Sequence, residues 1–247
     1  MRVIDLKRIK AASSEVVRDI NRRVVLNLIR TRQPLSRADL ARISGLQRST
    51  ISLIVEELIQ QRWVLEGPLG RLPRGRRPTF LRLNEDRVII GVDLRPTQTT
   101  VALADVNGRF TSQSVVTTPA DPGEAICALI ESIRPTIDSC RDKMIEGIGI
   151  SLPGRFDHEA DRFVFAPNLG WRDVDLRGPI AKATGLPVEL ENAANACVLA
   201  AVWFERTDSC RNLVVVTVSE GIGTGIMVNG QLVRGLPKPA AMDRLPL

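Results

Sequence analysis

Residues 36–52 read Ser36-Arg37-Ala38-Asp39-Leu40-Ala41-Arg42-Ile43-Ser44-Gly45-Leu46-Gln47-Arg48-Ser49-Thr50-Ile51-Ser52. Ser36 is a natural helix N-cap, and Asp39 stands three residues on, where a capping box takes an acid or amide. A short helix, Arg37 to Ile43, follows and directs Leu40 and Ile43 inward. Ser44-Gly45 ends it, because glycine enters the left-handed region without a steric penalty. Leu46 packs the turn. A further helix from about Gln47 to Arg62 then carries Ile51, Ile54, Val55, Leu58 and Ile59 as a buried stripe. Upstream, Val16, Val17, Ile20, Val24, Leu28 and Ile29 recur at helical spacing between Ser14 and Arg32, and Pro34 stops that helix. Three short helices with a glycine turn before the last predict a helix-turn-helix.

In that geometry the first turns of the third helix face base edges in the major groove. Gln47, Arg48, Ser49, Thr50 and Ser52 lie there, all able to hydrogen-bond; Arg suits guanine and Gln suits adenine. Ser and Thr also favour ordinary caps, so it is the three-helix context that favours DNA contact. Arg37, opening the preceding helix, joins the candidate contacts. Trp63 to Glu66 and Thr79 to Leu83 then read as two strands flanking a Gly/Pro/Arg loop, Gly67 to Pro78. Arg71, Arg74, Arg76 and Arg77 make that hairpin tip cationic, as a wing reaching a phosphate backbone or narrow minor groove requires. Trp63 is expected to pack beneath the wing.

Charge agrees with this division. The 247 residues hold 34 Lys+Arg and 28 Asp+Glu, but residues 1–87 carry 19 and 9 of them and residues 88–247 carry 15 and 19. A basic head on an acidic body is the electrostatic outline of a nucleic-acid-binding module joined to something else. The 44% hydrophobic content excludes a disordered chain. No apolar run approaches the roughly 20 residues that span a bilayer, and the charged N-terminus lacks a signal-peptide core. A cytoplasmic protein without membrane partners is expected. Cys127, Cys140, Cys197 and Cys210 have neither zinc nor redox spacing, so they are expected to be small, mostly buried apolar side chains. No metal and no cofactor are expected.

Beyond Arg87 the pattern turns to strands: Val88 to Asp93, Thr99 to Asp105 and Thr111 to Thr117, separated by Arg95-Pro96-Thr97-Gln98 and by the Asn107-Gly108 turn. A helix from about Pro122 to Ser139 and a strand from Ile145 to Leu152 follow. Pro153-Gly154 then opens a long loop through Asn168. A short helix near Leu176 to Thr184, a strand from Pro187 to Leu190 and a helix from about Asn192 to Phe204 complete an α/β layer with a mixed sheet. Leu213 to Val218, Gly221 to Gly225, Ile226 to Val228 and the Asn229-Gly230 turn begin a second unit. Asp93…Thr97 before one hairpin and Ser219…Thr224 before another read as a diverged internal duplication.

Seven stretches together carry a family resemblance: SRADLARISGLQRSTIS, GRRPTFLRLN, IGVDLRPTQTTVALADVNG, GIGISLPGRFD, APNLGWRDVDL, ENAANA and VSEGIGTGIMVNGQLVRG. In this order, from about residue 18 to residue 235, the chain resembles repressors of the ROK family (repressor, open reading frame, kinase), the group that includes xylose and N-acetylglucosamine repressors. The resemblance implies an α/β protein: a winged helix-turn-helix over residues 1–84, the first lobe of an actin-like sugar-kinase domain over 85–208, and the start of a second lobe over 209–247. It further implies a repressor of carbohydrate-metabolism genes that binds a double-stranded operator, responds to a monosaccharide and dimerises largely through its kinase-like body.

The resemblance does not extend to catalysis. ROK kinases place Gly after the first-strand Asp so that backbone approaches nucleotide phosphates; here Arg95 fills that position and Pro96 removes a further backbone N–H. They also use an Asp after Asn to take the proton from the sugar hydroxyl. Here Ala193 follows Asn192, and a methyl accepts no proton. The expectation is that the chain is not an enzyme, with a sugar kinase bearing a DNA-binding appendix as the alternative. By motif, Asn168 and Asn192 are amides for sugar hydroxyls, and Gly154 lets backbone approach the ligand. Against this, Asn168 suits a loop cap and Asn192 a helix N-cap. Glu191 reads as a structural strand-end residue, and His158 as exposed between Asp157 and Glu159.

After Gly235 the family would continue with a sugar-holding Glu-x-Gly-His segment, a Cys-rich zinc motif and most of the second lobe. Residues 236–247 match none of these and hold three prolines, which exclude a helix. A truncated second lobe that exposes apolar surface and self-associates is therefore expected, with a ligand-blind DNA-binding remnant as the corresponding alternative function.

Overall fold

The structure, a computed structural model, describes residues 14–69, 78–157, 162–204 and 210–234. The chain divides into two compact units, one ending at Asn84 and one beginning at Glu85.

In the first unit, helices α1 (Ser14–Arg32), α2 (Arg37–Ser44) and α3 (Arg48–Gln60) are joined by a small sheet of β1 (Leu35–Ser36), β2 (Val64–Leu69) and β3 (Thr79–Leu83), in the order β1-β3-β2. The two-residue β1 has no local signal, because its pairing is set by distant partners: Leu35 opposes Leu81 and Ser36 opposes Phe80. The core is Val25, Ile29, Leu40, Ile51, Ile54, Val55, Leu58, Val64 and Leu81. Each such side chain contributes on the order of 1.5–3 kcal/mol of apolar burial.

Two expectations on this core are corrected. Helix α1 buries Val25 and Ile29, whereas Val16, Val17, Ile20 and Val24 are exposed. Periodicity correctly gave an amphipathic helix, but the stripe is buried only where α2, α3 and β3 close on it. Ile43 is likewise exposed, leaving Leu40 as the buried residue of the eight-residue α2.

In the second unit, β4 (Arg87–Leu94), β5 (Gln98–Asp105), β6 (Phe110–Thr117), β7 (Met144–Leu152) and β11 (Val188–Asn192) form one sheet in the order β11-β7-β4-β5-β6. The β11/β7 and β7/β4 pairs are parallel, and the β4/β5 and β5/β6 pairs are antiparallel. Along β4, Val88, Ile90, Val92 and Leu94 are buried, the two-residue alternation that turns one face to the core. Helix α4 (Pro122–Asp138) covers it with Ala125, Leu129 and Ile133, spaced one turn apart. Its start is fixed by Asp121, whose carboxylate accepts from the Glu124 N–H at 2.9 Å, and by Pro122 in the first turn. Trp171 Nε1 donates to the Ala120 carbonyl at 2.8 Å and ties the next segment to that helix start.

The segment expected as a loop from Pro153 to Asn168 is instead a hairpin, β8 (Arg155–Asp157) against β9 (Arg162–Ala166), with β10 (Trp171–Arg172) as a third strand. These strands are two to five residues long, too short to print an alternation on the sequence. His158 lies outside the described residues. Helix α5 (Arg177–Thr184) leads to β11, and α6 (Ala193–Phe204) leads to a separate sheet of β12 (Leu213–Val218), β13 (Ile222–Val228) and β14 (Gln231–Leu232). The glycines of residues 221–225 thus sit largely within a strand. Gly225 admits the close approach of α6, since a Cβ there would collide with the Ala194 carbonyl. Helix α6 touches β12, β13 and β14 and also β11 and β7, and its buried residues are Ala194 and Val198.

Cys140 is buried, but Cys127 and Cys197 are exposed and Cys210 is partly so, which corrects the expectation of mostly buried cysteines. All four are free thiols. Among the described residues no helix is long and apolar enough to cross a membrane.

Candidate functional site

In the first unit the capping box forms as the spacing requires. The Asp39 N–H donates to Ser36 Oγ at 3.2 Å, while the Ser36 hydroxyl and N–H donate back to Asp39 Oδ2 at 2.6 and 3.2 Å. Arg42 adds a bond to Asp39 Oδ1 at 2.8 Å. Hydrogen bonds from Ser36, aided by Arg42, hold the Asp39 carboxyl below its ordinary pKa against the opposing effect of burial. Gly45 closes α2 at φ 73° and its N–H donates to the Ala41 carbonyl. The tight turn sets the start of α3, whose Gln47 is an extended N-cap without a side-chain cap bond.

The candidate contacts at that start are presented outward. Gln47, Arg48, Ser49 and Ser52 are exposed, and Thr50 is half-buried. Ser52 Oγ donates to the Arg48 carbonyl at 2.9 Å, which still leaves its oxygen free to accept. Arg37 is engaged differently: its guanidinium bonds Glu66 Oε1 at 2.6 Å and ties α2 to β2. Arg71, Arg74, Arg76 and Arg77 lie outside the described residues. One residue on this surface was not anticipated. Leu53 is 69% exposed, one turn beyond Ser49. The available signal was its place outside the Ile51, Ile54, Val55, Leu58 stripe.

In the second unit, two groups of polar side chains lie at strand and helix ends. At the end of β4, Asp93 accepts from Arg95 Nε at 2.7 Å and from Ser151 Oγ at 3.2 Å. The hydrogen bond and charge of Asp93 raise the Arg95 pKa further above its ordinary value, with lesser contributions from Glu220 and Cys197. The corner where the family resemblance calls for glycine thus carries the chain's own ion pair.

At the start of α6, Asn192 Nδ2 donates to the Gly154 carbonyl at 2.5 Å, and its Oδ1 accepts the N–H groups of Ala194 and Asn195 at 2.9 and 3.3 Å. Gly154 has φ 99°, and a Cβ there would meet the Phe165 carbonyl, so the close backbone approach it permits is made by β9. Asn168 is exposed and donates to the Glu220 carbonyl at 3.2 Å. Glu191 is a structural junction: Oε1 accepts from Asn195 Nδ2 at 3.0 Å, and Oε2 accepts from Arg234 at 2.9 Å. Among the described residues no group of three or more His, Cys, Asp or Glu side chains is placed to hold a metal ion.

The mixed sheet with two parallel pairs, the antiparallel sheet and the helix that contacts both make the second unit a mixed α/β domain. Residues 89–238 match the ROK family. The chain is 31% identical over 225 residues to the xylose repressor of Caldicellulosiruptor bescii, covering 89% of this chain and 56% of that one. Among solved structures it resembles a ROK family transcriptional regulator, a homologue of the E. coli MLC protein, at TM-score 0.74 and 27% identity over 89% of this chain and 57% of that one. A ROK family glucokinase from Streptomyces griseus, solved with glucose and AMPPNP, matches at TM-score 0.52 and 29% identity over 60% of this chain and 46% of that one. The chain belongs to the ROK family, and it spans just over half the length of the curated relative it matches.

Proposed function

We propose that this chain is a sequence-specific DNA-binding regulator that represses carbohydrate-metabolism genes and responds to a monosaccharide. Residues 1–84 serve as a winged helix-turn-helix, residues 85–208 as the first lobe of an actin-like domain and residues 209–247 as the start of the second. Arg48, Ser49, Thr50, Ser52 and Gln47 read bases, and Arg37 with Arg71, Arg74, Arg76 and Arg77 holds phosphates. Asn168, Asn192 and Gly154 line the sugar side. The chain works in the cytoplasm, as a homodimer on a two-fold operator.

The observation that carries this reading is the outward-facing polar start of α3 behind a left-handed Gly45 turn. The similarity to a xylose repressor and to a solved ROK regulator extends over that same head, since each covers about nine-tenths of the chain. Phosphoryl transfer is not part of the proposal. The Asp93–Arg95 pair fills the corner a nucleotide would need, and Ala193 offers no base.

The test is selection of duplexes from a random library by the full chain, followed by titration over a range of salt. A defined consensus is expected, with affinity falling steeply as salt rises. Arg48→Ala is expected to relax the consensus at one position. Identical site selection by wild type and Arg48→Ala would overturn the recognition-helix assignment. Repeating the titration with xylose and other monosaccharides tests the effector.

A further inference from the structure

We infer that Leu53 reads a thymine methyl group in the major groove, as a specificity-determining contact that rests on the DNA-binding reading above. Leu53 is the most exposed large apolar side chain among the described residues of the first unit. It lies four residues after Ser49, so both share one helix face, about 6 Å apart along the axis. Ser52 flanks it, and Arg48 and Ser49 precede it. A leucine held in water beside hydrogen-bonding side chains adds nothing to the three-helix core, which Ile51, Ile54, Val55 and Leu58 already supply.

The chemistry of the groove identifies its counterpart. Thymine alone among the four bases presents a methyl group on the major-groove edge, and an aliphatic side chain meets it by mutual burial. Where Arg48 and Ser49 read donors and acceptors at the mouth of the groove, Leu53 would read a methyl group one or two base pairs further along. Leu53 also borders a groove of about 550 Å³ lined by Val17, Arg18 and Asn21 of α1 and by Glu56 and Glu57 of α3, whose carboxylates leave the Ser49 end of the helix as the part that phosphates can approach. The charge of the head favours DNA over a second protein copy as the occupant, because residues 1–87 carry 19 basic side chains against 9 acidic ones.

The experiment takes the duplex selected by the full chain and replaces its thymines one at a time with deoxyuridine. This removes the methyl and leaves every hydrogen bond in place. Wild type is expected to lose about fourfold in affinity at one position per half-site, the effect of one buried methyl. Leu53→Ala should bind thymine and deoxyuridine equally at that position, whereas Leu53→Met, still long and apolar, should retain the discrimination. A deoxyuridine penalty of the same size in wild type and Leu53→Ala overturns the inference while leaving the DNA-binding reading intact. So does a Leu53→Ala variant that changes the oligomeric mass in light scattering but keeps the penalty, since the leucine would then belong to a contact between copies. If no duplex is enriched from the library, the DNA-binding reading and this inference fall together.

Discussion

Asn192 joins the end of β11 to the turn before β8: its amide donates to the Gly154 carbonyl at 2.5 Å while its oxygen caps α6. One side chain therefore holds a helix start and a glycine turn in register. Both lone pairs of Oδ1 are used by backbone N–H groups, so the second amide hydrogen is what remains for a ligand hydroxyl.

Asn192→Ala removes the cap and the tie to Gly154 together and is expected to destabilise the second unit by about 1–3 kcal/mol. Asn192→Ser keeps an oxygen to cap α6 but is too short to reach the Gly154 carbonyl, so it should fall between the two in urea melts. Equal stability of wild type and the alanine variant would remove Asn192 from this role.

Acid sensitivity of the first unit should depend on Asp39. Its folded pKa lies below the ordinary aspartate value of about 3.9, so folding binds fewer protons than unfolding at acid pH. The stabilisation is fully present above that ordinary value and is lost as pH falls through the depressed folded one. Asp39→Asn is expected to cost about 1 kcal/mol at pH 7, and the gap to wild type should shrink by pH 3. An unchanged gap at the two pH values would show that the carboxylate's charge is not involved.

Two glycines should fail for different reasons. At Gly45 a Cβ meets nothing within 4 Å, but φ is 73°, so alanine costs about 1–2 kcal/mol of backbone strain and asparagine less. At Gly225 the strain is steric, because a Cβ would run into the Ala194 carbonyl and the Val198 methyl. Gly225→Ala is expected to cost about 1–3 kcal/mol, with asparagine worse than alanine. Opposite rank orders of Ala and Asn at the two sites, read from thermal melts, are the signature.

Arg95→Ala should barely alter stability, since the Asp93–Arg95 pair is nearly half exposed and such pairs are worth about 0–1 kcal/mol. Neither wild type nor Arg95→Gly is expected to release ADP from ATP in the presence of glucose or xylose, because Ala193 still lacks a proton acceptor. ADP release by purified wild type, followed in a coupled assay, would restore the kinase alternative.

What could be read ahead of the structure was what is encoded locally. Ser36, Asp39 and Gly45 declare a cap, a box and a turn through their own chemistry, so α2 and the start of α3 were legible to within a residue. The strands of the large sheet were legible as β-rich runs bounded by turns such as Asn107-Gly108, whereas the alternation of β4 shows only in its burial, since Ile89 is apolar yet exposed. What escaped depends on distant partners. The register of Leu35 with Leu81 makes β1, and the short pairing of Arg155 with Phe165 makes the β8/β9 hairpin. Periodicity marked the apolar stripe of α1, yet whether Val24 or Val25 faces the core depends on where α2 and α3 lie. At the candidate sugar side the amides could be listed from sequence, but their partners, Gly154 for Asn192 and Glu220 for Asn168, are 38 and 52 residues away.

Helix α6 touches both sheets of the second unit, and five of its twelve residues are alanines. Its buried residues are Ala194 and Val198, and both lie against the glycines of β13: the Cβ of Ala194 faces Gly223, and its carbonyl and the Val198 methyl face Gly225. Helix and strand therefore meet backbone to backbone along a seam with no slack. Substitution at Ala194, which is buried, can only part that seam, so this position tunes in one direction. Larger residues graded in size there would lift the strand from the helix in steps, giving a ruler for how far the seam opens before the tie from Arg234 to Glu191 lets go.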